Sequence, residues 1–195
     1  MYTRRTVLAN LAGAGVAGLA GCGAREGGGG PGVTPVPGES SLALTSPAFG
    51  DGDPIPRAFT FDGDDVSPPL SVSGVPGDAG SLALLVLDRD APGGTFAHWL
   101  LWNLPPDVGT IPRGIPQIRW VESLGGAHQG TNGFGELGYR GPRPPEDDGP
   151  HTYAFTLYAM PEPVNVQAGA SHGVLSRAMA GRPVASATLT GTYDR

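Results

Sequence analysis

Five polar side chains that could bind a small anion fall at the ends of predicted β-strands. They are two aspartates, two histidines and a tyrosine: Asp88, Asp90, His98, His151 and Tyr153. Imidazole rings and a phenol hydroxyl can donate hydrogen bonds to an anion without a large net charge. Any one of these groups alone is also typical of a polar side chain that caps a strand or a turn. Their shared position at strand ends favours a binding site.

Asp88 has a role in such a site although it carries the wrong charge for contact with an anion. A carboxylate that accepts a hydrogen bond from one imidazole N–H orients the ring and favours its charged form. The second ring nitrogen can then donate outward. We expect Asp88 and His151 to have the leading roles, with His98 of nearly equal weight and Tyr153 in support.

Short apolar segments bounded by Gly, Pro, Asp or Asn predict a domain built from short strands with few helices. The clearest segment, residues 81–88, is apolar on both faces and indicates a central strand covered on each side. The predicted strands are Ser81–Asp88, His98–Leu104, His151–Tyr158 and Ala185–Tyr193, and one helix is predicted for Ser171–Gly181.

Side-chain alternation along these strands assigns the polar residues to faces. It predicts that His151, Tyr153 and Phe155 share one face of the third strand. On the second strand it predicts that His98 shares a face with Leu100 and Trp102.

The composition limits the possible functions. The 195 residues include 33 glycines and 21 prolines, which argues against helical bundles and coiled coils. All 12 basic residues are arginines, and 18 acidic residues give a formal net charge of −6, so a basic nucleic-acid-binding surface is not expected. The single cysteine, Cys22, excludes intrachain disulfides and multi-cysteine metal sites.

The first 22 residues have the order of an export signal. The Arg4-Arg5 pair precedes a stretch rich in Gly, Ala, Leu and Val that ends at Leu19-Ala-Gly-Cys22. Paired arginines favour twin-arginine export, and the ending resembles a lipoprotein box, in which Cys22 is lipidated and becomes the first mature residue. The alternative is a short transmembrane anchor, but the stretch is shorter than the roughly 20 residues that a spanning helix needs.

The chain is therefore predicted to have three parts. Residues 1–21 form a twin-arginine export signal, residues 22–40 a lipidated cysteine and a flexible Gly/Pro tether, and residues 41–195 a folded domain. Loss of residues 1–21 leaves 10 arginines and 18 acidic residues, a net charge of −8. This organisation predicts an exported lipoprotein of the cell membrane that faces outside.

The ordered motifs of the domain resemble those of the phosphatidylethanolamine-binding protein family, in particular its prokaryotic Raf-kinase-inhibitor-like branch. The resemblance covers about residues 42 to 195. It rests on Asp88-Arg-Asp-Ala-Pro92, His98-Trp99, Gly138-Tyr-Arg-Gly-Pro-Arg-Pro-Pro145 and His151-Thr-Tyr153, with Ser67-Pro-Pro-Leu70 and Gly130-Thr-Asn132 in addition.

The resemblance implies a mainly β fold in which a large, antiparallel central sheet packs on a smaller sheet, with a few short helices. It also implies a small pocket at the strand ends that accepts phosphate-like or carboxylate anions. We predict no catalytic residue, no cofactor and no metal. The implied pocket residues are Asp88, Asp90, Ala91, Pro92, His98, Gly141, Arg143, Pro144, Pro145, His151 and Tyr153.

The chain departs from the usual family pattern at three positions. Arg89 separates the two aspartates, and alternation turns it away from them. Arg143 stands where a small residue or cysteine is common, and it could either bind the anion or point into solvent. Thr152 replaces an arginine that often follows the last histidine.

Two other chemistries have weaker support. Gly169-Ala-Ser171-His-Gly173 matches the nucleophile elbow of serine hydrolases, but the only later histidine is the neighbouring His172, so Ser171 is better interpreted as a helix N-cap. A zinc site from His98, His128 and His151 would need convergence over long distances in the chain, because no close-spaced histidine pair exists.

Two functional hypotheses follow. The first is a non-catalytic, membrane-tethered binding domain for a small anion or a phosphorylated head group. The second is an inhibitor or regulator of a partner protein, such as a protease or kinase, that acts through the rim of the pocket.

Overall fold

Two antiparallel sheets form the folded part of the chain. The computed structural model describes residues 41–195, so the export signal, Cys22 and the tether predicted for residues 1–40 lie outside the described residues. The smaller sheet contains β1 (Ala43–Thr45), β2 (Leu70–Ser73) and β5 (Thr110–Ile111). The larger sheet contains β3 (Ser81–Asp88), β4 (Phe96–Leu104), β6 (Trp120–Val121), β7 (Ala127–Gln129), β8 (His151–Met160) and β9 (Ala185–Tyr193), in the order β6-β7-β4-β3-β8-β9.

The central strand β3 is buried along its whole length, because apolar clusters cover both faces of the larger sheet. The first cluster lies between the two sheets and includes Leu84, Val86 and Phe155 from the larger sheet with Leu70 from the smaller one. The second cluster lies on the opposite face, where the helix packs, and includes Leu85 and Leu175. The continuous apolar pattern of residues 81–88 is explained by this double coverage.

Helical structure is minor. The described residues contain one α-helix, α1 (His172–Met179), and two short 3₁₀ helices (Arg57–Phe59 and Glu122–Leu124). Ser171 occupies the N-cap position of α1, as predicted, but its side chain makes no capping hydrogen bond. Within residues 41–195 no helix has the length and apolarity needed to cross a membrane.

The outer edge of β9 is partly covered by the segment of residues 50–55. The Ile55 N–H donates to the Thr192 carbonyl oxygen at 2.8 Å, and the Thr192 N–H donates to the Asp53 carbonyl oxygen at 3.0 Å. The Asp51 side chain accepts from the Thr190 N–H at 2.8 Å. Backbone groups that an edge strand leaves open are thus bonded within the domain.

The predicted architecture of a large sheet packed on a smaller one is confirmed. Two strands have the predicted bounds, while β4 begins two residues earlier than predicted and β8 ends two residues later. The face assigned to His98 is wrong, for a reason that lies in the site itself.

Candidate functional site

A β-bulge at His98 brings its side chain to the site. The register of β3 with β4 passes from Val86 opposite Trp99 to Leu87 opposite Ala97, which leaves His98 without a partner on β3. A bulge interrupts the two-residue alternation of side chains. Leu100 and Trp102 therefore belong to the second cluster, whereas the His98 ring lies 5.1 Å from the Tyr153 ring of the first cluster.

Asp88 and His151 form a buried pair at the end of the larger sheet. Asp88 lies opposite Tyr153 in the β3–β8 register, and its Oδ2 is 2.7 Å from Nδ1 of His151. The side chains are only 5% and 3% exposed. Since a carboxylate oxygen accepts, the imidazole Nδ1–H donates, and the ring orientation is fixed.

The surroundings of His151 favour its charged form. Burial lowers the pKa of His151, but hydrogen bonds and charges from Asp88 and Asp148 outweigh burial and raise this pKa above its ordinary value. The ring nitrogen Nε2 lies 3.3 Å from Oδ2 of Asp148. In the protonated ring both nitrogens of His151 donate, one to each carboxylate.

The surroundings of His98 favour its neutral form, in contrast to those of His151. Its Nδ1 donates to the Arg140 carbonyl oxygen at 2.8 Å. Burial lowers the pKa of His98, and the Arg140 hydrogen bond and the charge of Asp88 offset burial only in part. The neutral ring keeps its proton on Nδ1, so its Nε2 can accept a hydrogen bond from a ligand that carries a proton.

Tyr153 adds a buried hydroxyl between the two histidines. Its ring is edge-on to His98 at 5.1 Å and stacked on His151 at 6.5 Å. The hydroxyl lies near the Asp88 carboxylate and the Arg143 backbone amide, but it makes no hydrogen bond of normal geometry with any described residue. Burial, and then the charge of Asp88, raise the pKa of Tyr153, so the hydroxyl keeps its proton.

Asp90, Ala91 and Pro92 form the turn after β3. The Asp90 N–H donates to Oδ1 of Asp88 at 2.9 Å, and Oδ2 of Asp90 accepts from the Thr152 N–H at 2.8 Å. Asp90 thereby links this turn to the start of β8 beside His151. Ala91 is half-buried and Pro92 is exposed.

Gly141 and Arg143 belong to the loop that precedes β8. A Cβ at Gly141 would lie 2.5 Å from the Phe59 carbonyl oxygen, which explains why glycine is needed there. The Gly141 N–H donates to Oδ1 of Asp65 at 2.7 Å and is therefore not open to a ligand. Arg143 is exposed, with its guanidinium 4.1 Å above the Phe61 ring.

Pro144 and Pro145 continue the same loop. Pro144 is buried and Pro145 is exposed. The Pro145 carbonyl oxygen accepts from the Asp148 N–H at 3.3 Å, which closes a turn just before His151.

Three contributions to the site were not predicted. Asp148 contacts His151. The rings of Phe96 and Phe134 pack on the His98 ring, with 5.2 and 5.6 Å between ring centres. Asp65 holds the loop through its bonds to Gly141 and Arg140. The sequence signal available for Asp148 was its place three residues before His151 in a Gly/Pro-rich loop. The other contacts join distant parts of the chain and leave no local pattern.

The central side chains of the site are together but almost closed to solvent. Asp88, His98 and His151 are each 3% exposed, and Tyr153 is 0% exposed. Two surface cavities lie beside the cluster without including it: one of about 310 Å³ near Asp65 and Arg140, and one of about 220 Å³ near Phe96 and His172. On the side of the loop before β8, Nε2 of His151 faces the exposed side chain of Asp148.

Asp65 is expected to be the main anchor of the loop. Its carboxylate is 14% exposed and bonds to Arg140 and the Gly141 N–H, and its φ of 55° is unusual for a residue other than glycine. Asp65→Ala should lower the free energy of unfolding by about 2 to 4 kcal/mol, from lost charged hydrogen bonds and added backbone strain. Urea denaturation would measure this loss.

Asp64→Ala is the matched control. Asp64 is exposed and pairs with the exposed Arg113, so its removal should change the free energy of unfolding by no more than about 0.5 kcal/mol. Equal losses in both variants would show that Asp65 is not an anchor.

The structure does not support the alternative chemistries. His128 lies against Trp102, 5.6 Å between ring centres, on the face of the second cluster, so the three histidines do not converge. Within residues 41–195 no group of three or more metal-ligating side chains is placed to hold an ion. Ser171 precedes the short helix α1, and within residues 41–195 its side chain makes no hydrogen bond to the Asp88–His151 pair.

The two sheets and the polar cluster at their edge define a mainly antiparallel β domain with a buried histidine site. The profile of the family described as phosphatidylethanolamine-binding protein matches residues 45–194. The chain belongs to this family, as its motifs predicted.

Relatives extend across bacteria and archaea. UPF0098 protein PH1269 of Pyrococcus horikoshii is 42% identical over 159 residues, 81% of this chain and 80% of the relative. The protein named "Putative lipoprotein LppC" of Mycobacterium tuberculosis strain H37Rv is 38% identical over 162 residues, 83% of this chain and 77% of the relative.

Two solved structures share the fold. Escherichia coli YbcL, described as a new member of the mammalian PEBP family, matches with a TM-score of 0.75 and 31% identity. CT736 of Chlamydia trachomatis matches with a TM-score of 0.71 and 40% identity. Each match covers 80% of this chain and 99% of the other.

Proposed function

We propose that this chain is a non-catalytic binding protein for a small anion of the phosphate or carboxylate type, held outside the membrane by a lipid on Cys22. The observation that carries the proposal is the buried Asp88–His151 pair, with 2.7 Å between Oδ2 and Nδ1. A histidine fixed in this way presents a charged donor at a constant position, which an anion can use.

The neighbouring groups complement that donor. The Tyr153 hydroxyl is buried without a hydrogen-bond partner among the described residues, a state that a ligand oxygen would relieve. The Nε2 atom of neutral His98 suits an acidic P–OH or C–OH group. Arg143 makes no ion pair within residues 41–195 and adds positive charge at the rim.

A binding role without catalysis is favoured by the same geometry. Within residues 41–195 no serine, threonine or cysteine side chain hydrogen-bonds to His98 or His151, so neither imidazole activates a nucleophile in this arrangement. The family consists generally of binding proteins rather than enzymes.

The sequence of the N-terminal residues, which the structure does not describe, supports attachment to the membrane. The order of the first 22 residues fits an exported lipoprotein, and one relative of 38% identity carries the word lipoprotein in its name. The tether of residues 23–40 has too little apolar surface to fold and would hold the domain away from the lipid.

Isothermal titration of the purified protein with phosphate, phosphoethanolamine and acetate tests the anion site. Heat from all three anions is expected. Tighter binding of phosphoethanolamine would identify a head group as the ligand, and equal binding would identify the free anion. No heat from any of them, together with specific capture of one envelope protein, would support the regulator hypothesis instead.

Anion binding is expected to be strongest at mildly acidic pH and to fade as pH rises. The pKa of His151 is raised in the folded protein, so its charge is complete below the ordinary histidine pKa of about 6.5 and is lost as pH passes the raised value. Acetate is a suitable probe, because a carboxylate is fully ionised above about pH 6. An acetate affinity that stays constant from about pH 6 to pH 9 would contradict this expectation.

A further inference from the structure

The loop before β8 carries a carboxylate that reaches into the anion site. Oδ2 of Asp148 lies 3.3 Å from Nε2 of His151, while Oδ2 of Asp88 lies 2.7 Å from Nδ1 of the same ring. His151 is thus held between two carboxylates, one from the end of β3 and one from its own loop. The preceding residue, Asp147, is also acidic, but the carboxylates that bond to the His151 ring are those of Asp88 and Asp148.

The two carboxylates differ in how firmly they are held. The Asp88 side chain is 5% exposed and also accepts from the Asp90 N–H, so it is fixed on two sides. The Asp148 side chain is 43% exposed, and its contact with the ring is longer. Exposed ion pairs are weak, because solvent screens them and the side chain must be ordered.

An anion at this site needs the same donor, Nε2 of His151, that Asp148 contacts. Nδ1 of His151 is committed to Asp88, so Nε2 is the only nitrogen of this ring that can donate to a ligand. One N–H cannot serve Asp148 and a ligand oxygen equally well. Binding therefore requires the Asp148 side chain to move, and its position in an exposed turn of residues 145–148 permits this without breaking the sheet.

We propose that Asp148 is an intramolecular competitor for the anion site, which occupies Nε2 of His151 until a ligand displaces it. This proposal rests on the anion-binding function proposed above. A tethered carboxylate acts at a high effective concentration, so every anion that needs Nε2 of His151 must displace it and binds more weakly by a similar factor.

Asp148→Asn and Asp147→Asn form a matched pair for the test. Both remove one negative charge from the same exposed loop, but only the first changes a contact of His151. Titration with inorganic phosphate is performed at pH 5.5, which is below the ordinary histidine pKa of about 6.5 and therefore favours the charged form of His151. We expect Asp148→Asn to bind phosphate about two- to fivefold more tightly than Asp147→Asn, and to bind acetate more tightly by a similar factor.

Nuclear magnetic resonance of the His151 ring, without any ligand, provides a second readout. Loss of the Asp148 charge should lower the pKa of His151 in Asp148→Asn relative to Asp147→Asn. If the wild type binds phosphate and the two variants bind it with equal affinity, the proposed competitor role of Asp148 is wrong, but the proposed anion-binding function is retained. If no variant binds phosphate, both proposals fail, and the ring titration still shows whether Asp148 contacts His151.

Discussion

His151→Gln is expected to weaken phosphate binding roughly 10- to 150-fold, because it removes the charged donor of the site. A hydrogen bond to a charged group contributes about 1.5 to 3 kcal/mol, and each 1.4 kcal/mol corresponds to a factor of ten. Glutamine is preferred to alanine, since its amide can still donate to the buried Asp88 carboxylate. Alanine would leave that carboxylate unpaired, at a cost of about 3 to 5 kcal/mol in stability.

His128→Gln makes the same chemical change at a distant position. The Nδ1 atom of His128 is 3.3 Å from the Val166 carbonyl oxygen, and the ring packs against Trp102. Its replacement should leave the phosphate dissociation constant unchanged in calorimetry at pH 6. The anion-site proposal would be wrong if His151→Gln bound phosphate as tightly as the wild type.

Cys22→Ala is expected to abolish both lipidation and removal of the export signal, an all-or-none effect. Cys22 is the only thiol in the chain, so an acyl group attached through sulfur has no other site. The intact mass of wild-type protein extracted from membranes should correspond to a chain that begins at Cys22 and carries acyl groups. The variant should instead retain residues 1–21.

Ser40→Ala, in the same predicted tether, should be processed like the wild type. A wild-type mass that corresponds to an unmodified chain beginning at Met1 would exclude the lipoprotein assignment. It would also favour the alternative of an uncleaved N-terminal anchor.

Much of the fold was predictable because each main strand is indicated by the apolar pattern of its own consecutive residues. The uninterrupted apolar segment of residues 81–88 predicts a strand with both faces covered, and the structure buries all eight of its residues. Alternation predicts that His151 and Tyr153 share one face of their strand. Their meeting with Asp88 depends on the pairing of β3 with β8, and only the family resemblance implied it.

The side of the sheet on which the His98 side chain lies could not be predicted, because a bulge depends on the pairing register of two strands. Strict alternation groups His98 with Leu100, whereas the extra residue in β4 turns the ring toward Tyr153. The contact between Asp148 and His151 depends on the path of an irregular loop, which has no periodic pattern. The anchoring of that loop by Asp65 joins residues 75 and 76 positions apart in the chain.

The strap of residues 50–55 along β9 has a consequence for proteins packed densely on a surface. Exposed strand edges can add strands from neighbouring molecules and so begin aggregation. Here the amide and carbonyl groups of Thr190 and Thr192 are already bonded to the strap. Neighbouring copies of the domain at high surface density are therefore not expected to associate by strand pairing at the β9 edge.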